Sequence, residues 1–333
     1  MTNIRERFVQ MGLLLFAAVF LMGFSPPKPD LIDVTVGVMG TGTAQWEMKV
    51  IKDQELDEEH GINLILRNVS NSRAGQVALL AGEVDIILSD FVWVAGQRSQ
   101  GNMITAVPHS LAVGGVMVAP GSTISSVDDL AGKSIGIAGG PVDKSWVILQ
   151  AYYALNHEDR LVDQVTARFG APPLINELLA NGQVDAALNF WHFNARSKAA
   201  GMQELKSVAS MVTDLGAEVQ PPLLVWAFNE DTASDMEDGV LGFLNASYDA
   251  KQVLLSDDDV WTGLRELMRA ADNDQLFTTL QNDYRAGIVE HYDQSTIDAA
   301  AKSFALMAEF GGSDLVGEAT SLPEGTFWTG FER

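Results

Sequence analysis

The chain contains no cysteine in its 333 residues. That excludes disulfides, a thiol nucleophile, a cysteine-built metal site and a lipid anchor through a lipobox cysteine. Positive charge is scarce: 21 Lys and Arg stand against 44 Asp and Glu, for a net charge of −23. So acidic a surface repels phosphate backbones, which argues against a nucleic-acid partner. Histidine occurs five times, at 60, 109, 157, 192 and 291, never at His-x-His or His-x₃-His spacing. No metal site and no cofactor is therefore expected. The glycine turn at 40–43 is not followed by Gly-Lys-Ser/Thr, so it is no phosphate-binding loop, and the chain has no Gly-x-Gly-x-x-Gly fingerprint. A glycosidase carboxylate pair leaves no sequence pattern, and nothing here favours one.

Long apolar runs are also wanting. One uncharged stretch covers 11–24, after Arg5 and Arg7. It is short of the roughly 20 residues a membrane span needs. A basic start followed by such a stretch reads as a secretory signal over 1–25, which implies a periplasmic protein. An uncleaved membrane anchor is the alternative. Pro26-Pro27-Lys28-Pro29 makes 26–30 an extended linker. Hydrophobic residues are 47% of the chain, enough for a sizeable core in about two domains.

What is present is a repeat. Leu79-Leu80-Ala81-Gly82-Glu83-Val84-Asp85-Ile86-Ile87-Leu88-Ser89-Asp90-Phe91 returns as Leu179-Ala180-Asn181-Gly182-Gln183-Val184-Asp185-Ala186-Ala187-Leu188-Asn189-Phe190-Trp191. Leu, Gly, Val, Asp and Leu recur in register. Each copy reads as a helix stopped by a left-handed Gly, a turn and a short buried strand. Polar and aromatic residues follow each strand, at the carboxyl end where open α/β sheets bind ligands. Two similar α/β lobes facing one cleft are the expectation.

Elsewhere strands and helices alternate. Strands are expected over 32–38, 62–66, 103–107, 115–119, 134–138 and 223–228. Helices are expected over 46–57, 70–81, 144–155 and 174–180, with a capped turn at 126–130 and a largely helical chain after 230.

Leu-Ala-Gly-Glu-Val-Asp (80–85), Val-Asp-Asp-Leu-Ala-Gly-Lys-Ser-Ile-Gly-Ile (127–137) and Gly-Gln-Val-Asp-Ala-Ala (182–187) carry a further signal. With these motifs the chain resembles the periplasmic binding proteins of nitrate, sulfonate and taurine ABC importers, a family that also holds thiamine-pyrimidine-precursor binders. The likeness runs over roughly 32–230. It implies a type II periplasmic-binding-protein fold: two α/β lobes, two crossover strands and a cleft that closes on ligand. The crossovers would fall near 112–118 and 220–226. The first lobe would then hold 31–112 and 225–333, and the second 113–224.

Four segments are candidate ligand contacts. Thr41, Thr43, Gln45 and Trp46 follow the first strand, where helix-start N–H groups and hydroxyls make donors; an ordinary capped turn is the competing reading. Ser89 and Asp90 follow the first repeat strand, and Asp90 serves equally well as a helix cap. Asp143, Lys144 and Ser145 open a helix where sulfonate-type relatives tend to carry small hydroxyl residues. Pro141 and Asp143 disfavour an anion there, unless Asp143 caps the helix and points away. Asn189, Trp191 and His192 follow the second repeat strand and offer hydrogen bonds and aromatic faces. Trp226 is a weaker candidate on the second crossover.

The leading expectation is a monomeric solute receptor, without enzymatic chemistry. It would capture a small neutral or cationic, aromatic or heterocyclic molecule and deliver it to an ABC permease in the inner membrane. The alternatives are a sulfonate- or taurine-type anion receptor, an enzyme making a thiamine pyrimidine precursor, and a periplasmic sensor subunit.

Overall fold

Val34, Val36 and Val38 alternate along the first strand, and all three are buried. Period-two burial of β-branched residues is what a sheet covered by helices rewards. The computed structural model describes residues 30–333 except Thr41 and Val142. The expected signal, the linker up to residue 29 and the candidate Thr41 lie outside the described residues.

The chain starts with β1 (Ile32–Met39), α1 (Ala44–Asp53), the single turn α2 (Leu56–Glu59), β2 (Ile62–Val69), α3 (Ser72–Leu80), β3 (Ile86–Asp90), α4 (Phe91–Ser99) and β4 (Ile104–Ser110). A second run follows: β5 (Gly115–Val118), β6 (Ser134–Ala138), α5 (Lys144–Ala154), α6 (Leu161–Gln164), β7 (Thr166–Gly170), α7 (Pro172–Ala180), β8 (Ala186–Asn189), α8 (Trp191–Ala199), β9 (Gln203–Ser207) and α9 (Val208–Asp214). The chain returns through β10 (Leu224–Asn229) and ends in α10 (Glu230–Asp235), α11 (Glu237–Ser256), α12 (Asp258–Thr262), α13 (Asp274–Ala286) and α14 (Gln294–Val316).

Two five-stranded sheets result, in the orders β2-β1-β3-β10-β4 and β7-β6-β8-β5-β9. The orders correspond strand for strand. In each, a parallel trio is joined by an antiparallel strand: β10 beside β3, and β5 beside β8. The fold is the expected two-lobed α/β architecture of the periplasmic binding type. The chain passes between the sheets twice, between Ser110 and Gly115 and between Ser207 and Leu224.

The repeat has one structural meaning in both sheets. Gly82 and Gly182 sit at φ 68° and 65°, just beyond α3 and α7, the left-handed region that ends a helix without steric cost. Leu79 and Val84 are buried in the larger core, and Leu179 and Val184 in a smaller one under α7. The repeated aspartates do identical work. Asp85 Oδ2 accepts from Thr35 N at 2.7 Å, and Asp185 Oδ2 accepts from Ser134 N at 2.8 Å. In return the Asp N–H groups donate to the same two residues' carbonyls, each at 2.9 Å. The turn after each helix is thereby pinned to the neighbouring strand.

Two expectations change. The helix over 46–57 breaks at Glu55, which takes a left-handed φ of 56°. The break turns the buried Asp57 carboxylate to accept from Leu64 N at 3.2 Å and Lys52 Nζ at 2.6 Å. Strands β7 and β9 were not expected. Both are sheet edges with mostly exposed or half-buried residues, so neither carries an apolar alternation. After 230 the chain is largely helical, as expected. Helix α13 packs on α8 and α14 on α5, so the last helices touch the second sheet's layer as well as the first's.

Candidate functional site

The carboxyl ends of β1, β3, β6 and β8 each run into a helix, and these four helix starts carry the candidate residues. Asp90 is the N-cap of α4, its Oδ1 accepting from Trp93 N at 2.9 Å. Its second oxygen, Oδ2, lies 3.4 Å from Lys144 Nζ at the start of α5. This ion pair joins the two sheets' helix layers. Both side chains are largely buried, at 24% and 20% exposure.

Asp143 caps α5, its Oδ1 accepting from Ser145 N at 2.9 Å. Burial pushes its carboxyl above the usual range, while Lys144 and the N–H groups of Ser145 and Trp146 pull it down. Burial alone would lower the Lys144 ammonium; Asp90 and then Asp143 outweigh it and raise the value. Two carboxylates and one ammonium leave the cluster one negative charge. The positive end of α5 is already occupied by the protein's own Asp143.

The aromatic candidates meet one another. Trp46 of α1 and Trp191 of α8 stand edge to face, ring centroids 5.9 Å apart. Tyr284 of α13 touches both, at 5.7 and 6.1 Å, and Trp261 adds a fourth ring at 6.2 Å from Trp46. Such contacts add about 0.5–1.5 kcal/mol each beyond area burial. His192 lies against Trp191 and Phe193. Burial, and then Arg196, lowers its pKa to about 3, so the ring is neutral.

Several other candidates bond within the fold. Asn189 is buried, and its amide donates to Pro172 O and Asn176 Oδ1 while accepting from Phe190 N. That set leaves little capacity for a ligand. Ser89 is buried and accepts from Gln76 Nε2 at 3.3 Å. Gln45 Nε2 reaches Met39 O at 3.3 Å and Asn68 Oδ1 at 3.4 Å, tying the ends of β1 and β2. Thr43 is the N-cap of α1 but makes no side-chain cap bond. Ser145 lends its backbone N–H to Asp143, and its side chain is buried. Trp226 belongs to the core, not to a site: it is fully buried and its Nε1 donates to Ser247 Oγ at 3.0 Å.

Sequence reading missed a buried polar network directly beneath Trp46. Glu47 accepts from Ser247 Oγ at 2.6 Å, from Tyr284 Oη at 3.1 Å and from Lys251 Nζ at 3.0 Å. His109 Nδ1 lies 3.7 Å from the same carboxylate. A signal existed. Glu47 sits on the apolar stripe of α1 with Ala44, Met48 and Ile51, and Lys251 on that of α11 with Leu244 and Leu254. A lone charge in such a stripe asks for a buried partner. Among the described residues there is no group of three His, Asp or Glu placed to hold a metal. Among the same residues no helix is long and apolar enough to cross a membrane.

The family model described as "NMT1/THI5 like" matches residues 57–259, well over half of the chain. The chain belongs to the NMT1/THI5-like family. Solved structures agree on the fold of this family member. It is similar to the periplasmic aliphatic sulphonate binding protein SsuA of Escherichia coli, with a TM-score of 0.71 and 15% identity over 89% of this chain and 97% of that one. It is similar to the alkanesulfonate-binding protein SsuA of Xanthomonas axonopodis pv. citri bound to MOPS, with a TM-score of 0.66 and 15% identity over 90% and 99%. An ABC transporter protein of Parabacteroides distasonis gives a TM-score of 0.67 and 13% identity over 90% and 99%. No curated protein matches the sequence.

Proposed function

We propose that this family member is an extracytoplasmic solute-binding protein of an ABC importer, acting by binding and release without enzymatic chemistry. The two lobes, 31–112 with 225–333 and 113–224, would close about the two chain crossings, and an inner-membrane permease would receive the ligand. The family assignment and the fold shared with ABC-importer binding proteins support this reading.

The ligand we propose is small, neutral or cationic, with a flat aromatic or heterocyclic part. One observation carries that choice: Asp143 occupies the helix start where an anion would sit, and the Asp90–Lys144–Asp143 cluster keeps one negative charge. Trp46 and Trp191, on the helices that follow β1 and β8, supply aromatic surface. Parting the lobes exposes these rings and frees Asp90; a ligand that replaces their mutual contacts stabilises closure. An anion such as an alkanesulfonate is the second reading, favoured by what the E. coli and Xanthomonas proteins are named for.

A thermal-shift panel of amines, pyrimidines, aromatic acids, nitrate and sulfonates separates the two. A ligand at a hundredfold excess over its Kd adds about 2.7 kcal/mol. Stabilisation by amines or heterocycles alone supports the proposal. Stabilisation by sulfonates alone overturns the ligand class, and chemical turnover of any ligand overturns the receptor.

A further inference from the structure

A cavity of about 190 Å³ lies where the chain first crosses between the sheets, away from the Asp90–Lys144 pair. One wall is the linking segment 111–113; the others are α8, β9 and the end of α13. Its polar wall holds Glu204 and Asp283 with Lys198, Asn194, Ser207 and Gln220. Lys198 Nζ lies 3.1 Å from Glu204 Oε2 and 3.5 Å from Asp283 Oδ2, so two carboxylates share one ammonium. Asn194, buried in the same wall, donates through Nδ2 to Gly115 O at 2.9 Å, and its Oδ1 has no hydrogen-bond partner among the described residues. Trp191 and Ala286 give an apolar side.

The wall is closely fitted. A Cβ on Gly115 would stand 2.7 Å from Lys206 O and from Glu204 Oε1, so the glycine lets β9 and its carboxylate lie close over the backbone. Burial pushes the Asp283 carboxyl above its usual range, and Lys198 opposes that without cancelling it. The cavity wall therefore carries two carboxylates against one ammonium, beside Trp191.

We infer that this cavity binds a small organic cation: a primary ammonium group between Glu204 and Asp283, with a short apolar body against Trp191 and Ala286. The ammonium supplies the positive charge that the two carboxylates share only through Lys198. The inference goes beyond the cleft reading and does not rest on it. Glu204 belongs to the second sheet, and Asp283 lies on α13, which packs on α8 of that sheet's layer. Occupancy is coupled through Trp191 to the aromatic contact with Trp46.

Calorimetry of the whole protein with n-butylammonium chloride tests this, with n-butanol and sodium butanoate as matched controls. The expected result is saturable one-to-one binding of the ammonium alone. Asp283→Asn should weaken it at least about tenfold. Ala286→Leu, which fills the cavity, should abolish it. Glu204→Gln serves if Asp283→Asn fails to fold, and each variant's unfolding temperature without ligand reports folding separately. No saturable binding, equal binding of butanol, or an affinity unchanged in both charge variants and in Ala286→Leu overturns the inference. Loss in Asp90→Asn alone places the cation in the cleft, overturning the hinge site while the receptor proposal stands. A failed cleft panel with intact butylammonium binding does the reverse.

Discussion

Lys144 Nζ and Asp90 Oδ2, 3.4 Å apart, form an ion pair that spans the two lobes. Neither residue's helix belongs to the other's sheet, so the pair exists only when the lobes are together. Lys144→Met should lower the unfolding free energy by roughly 1 kcal/mol, because the pair is partly shielded but its geometry is long. It should also open the ligand-free protein, read as a larger radius of gyration in small-angle scattering. A double-mutant cycle with Asp90→Asn should return a coupling of the same size; additive effects would mean the pair does not hold the lobes.

The turn aspartates predict unequal costs from equal bonds. Asp85 is half-buried and Asp185 exposed, yet each accepts from one backbone N–H of the neighbouring strand. Asp85→Ala should cost roughly 1.5–3 kcal/mol and Asp185→Ala about 1, since water reaches Ser134 N more easily. Asp185 also accepts from the Ser134 hydroxyl, which with that residue's N–H lowers its pKa. A depressed carboxyl stabilises fully above its ordinary pKa, and that share is lost as pH falls through the folded value. Unfolding temperature against pH should therefore fall less steeply below pH 4 in Asp185→Asn than in wild type.

These aspartates mark how far the sequence could be read. The repeat at 79–91 and 179–191 showed both helix stops, both buried strands and the paired lobes, because those features are local and periodic. The motif at 127–137 placed β6 within its true bounds. The edge strands β7 and β9 were invisible, since an edge needs no buried face. The site was legible only as a set of strand ends. Which side chain is free at such an end depends on neighbours 13 to 54 positions away, as with Gln76 for Ser89, Asn176 for Asn189 and Lys144 for Asp90. Trp226 looked available because its partner Ser247 lies in a helix with no recognisable motif.

Glu47 and Lys251 make a buried pair whose breaking should be severe. Lys251→Met leaves the Glu47 carboxylate without its cation and should cost roughly 3–5 kcal/mol. Joint replacement, Glu47→Gln with Lys251→Met, should cost far less than the sum of the single changes, measured by denaturant unfolding. The single variant has a second readout. Burial and then Lys251 hold the His109 pKa well below its usual value. With Lys251 gone and Glu47 Oε2 3.7 Å away, that pKa should rise, visible in the imidazole shifts by NMR.

His192 predicts a loss of stability in mild acid. Its imidazole is neutral in the fold because burial, then Arg196, lowers the pKa to about 3. The unfolded chain takes up the proton near pH 6.5, while the folded one does not until near pH 3. Between those values the unfolded state binds more protons, so stability falls with falling pH by up to about 1.4 kcal/mol per unit from this residue. Above pH 6.5 the term is complete and constant. His192→Gln removes it, and its unfolding free energy should decline less between pH 6.5 and 4 than that of wild type. His109 remains in both proteins and contributes the same sign, so the comparison isolates His192. Parallel pH profiles for the two would show that the ring is hydrated and protonated in the fold.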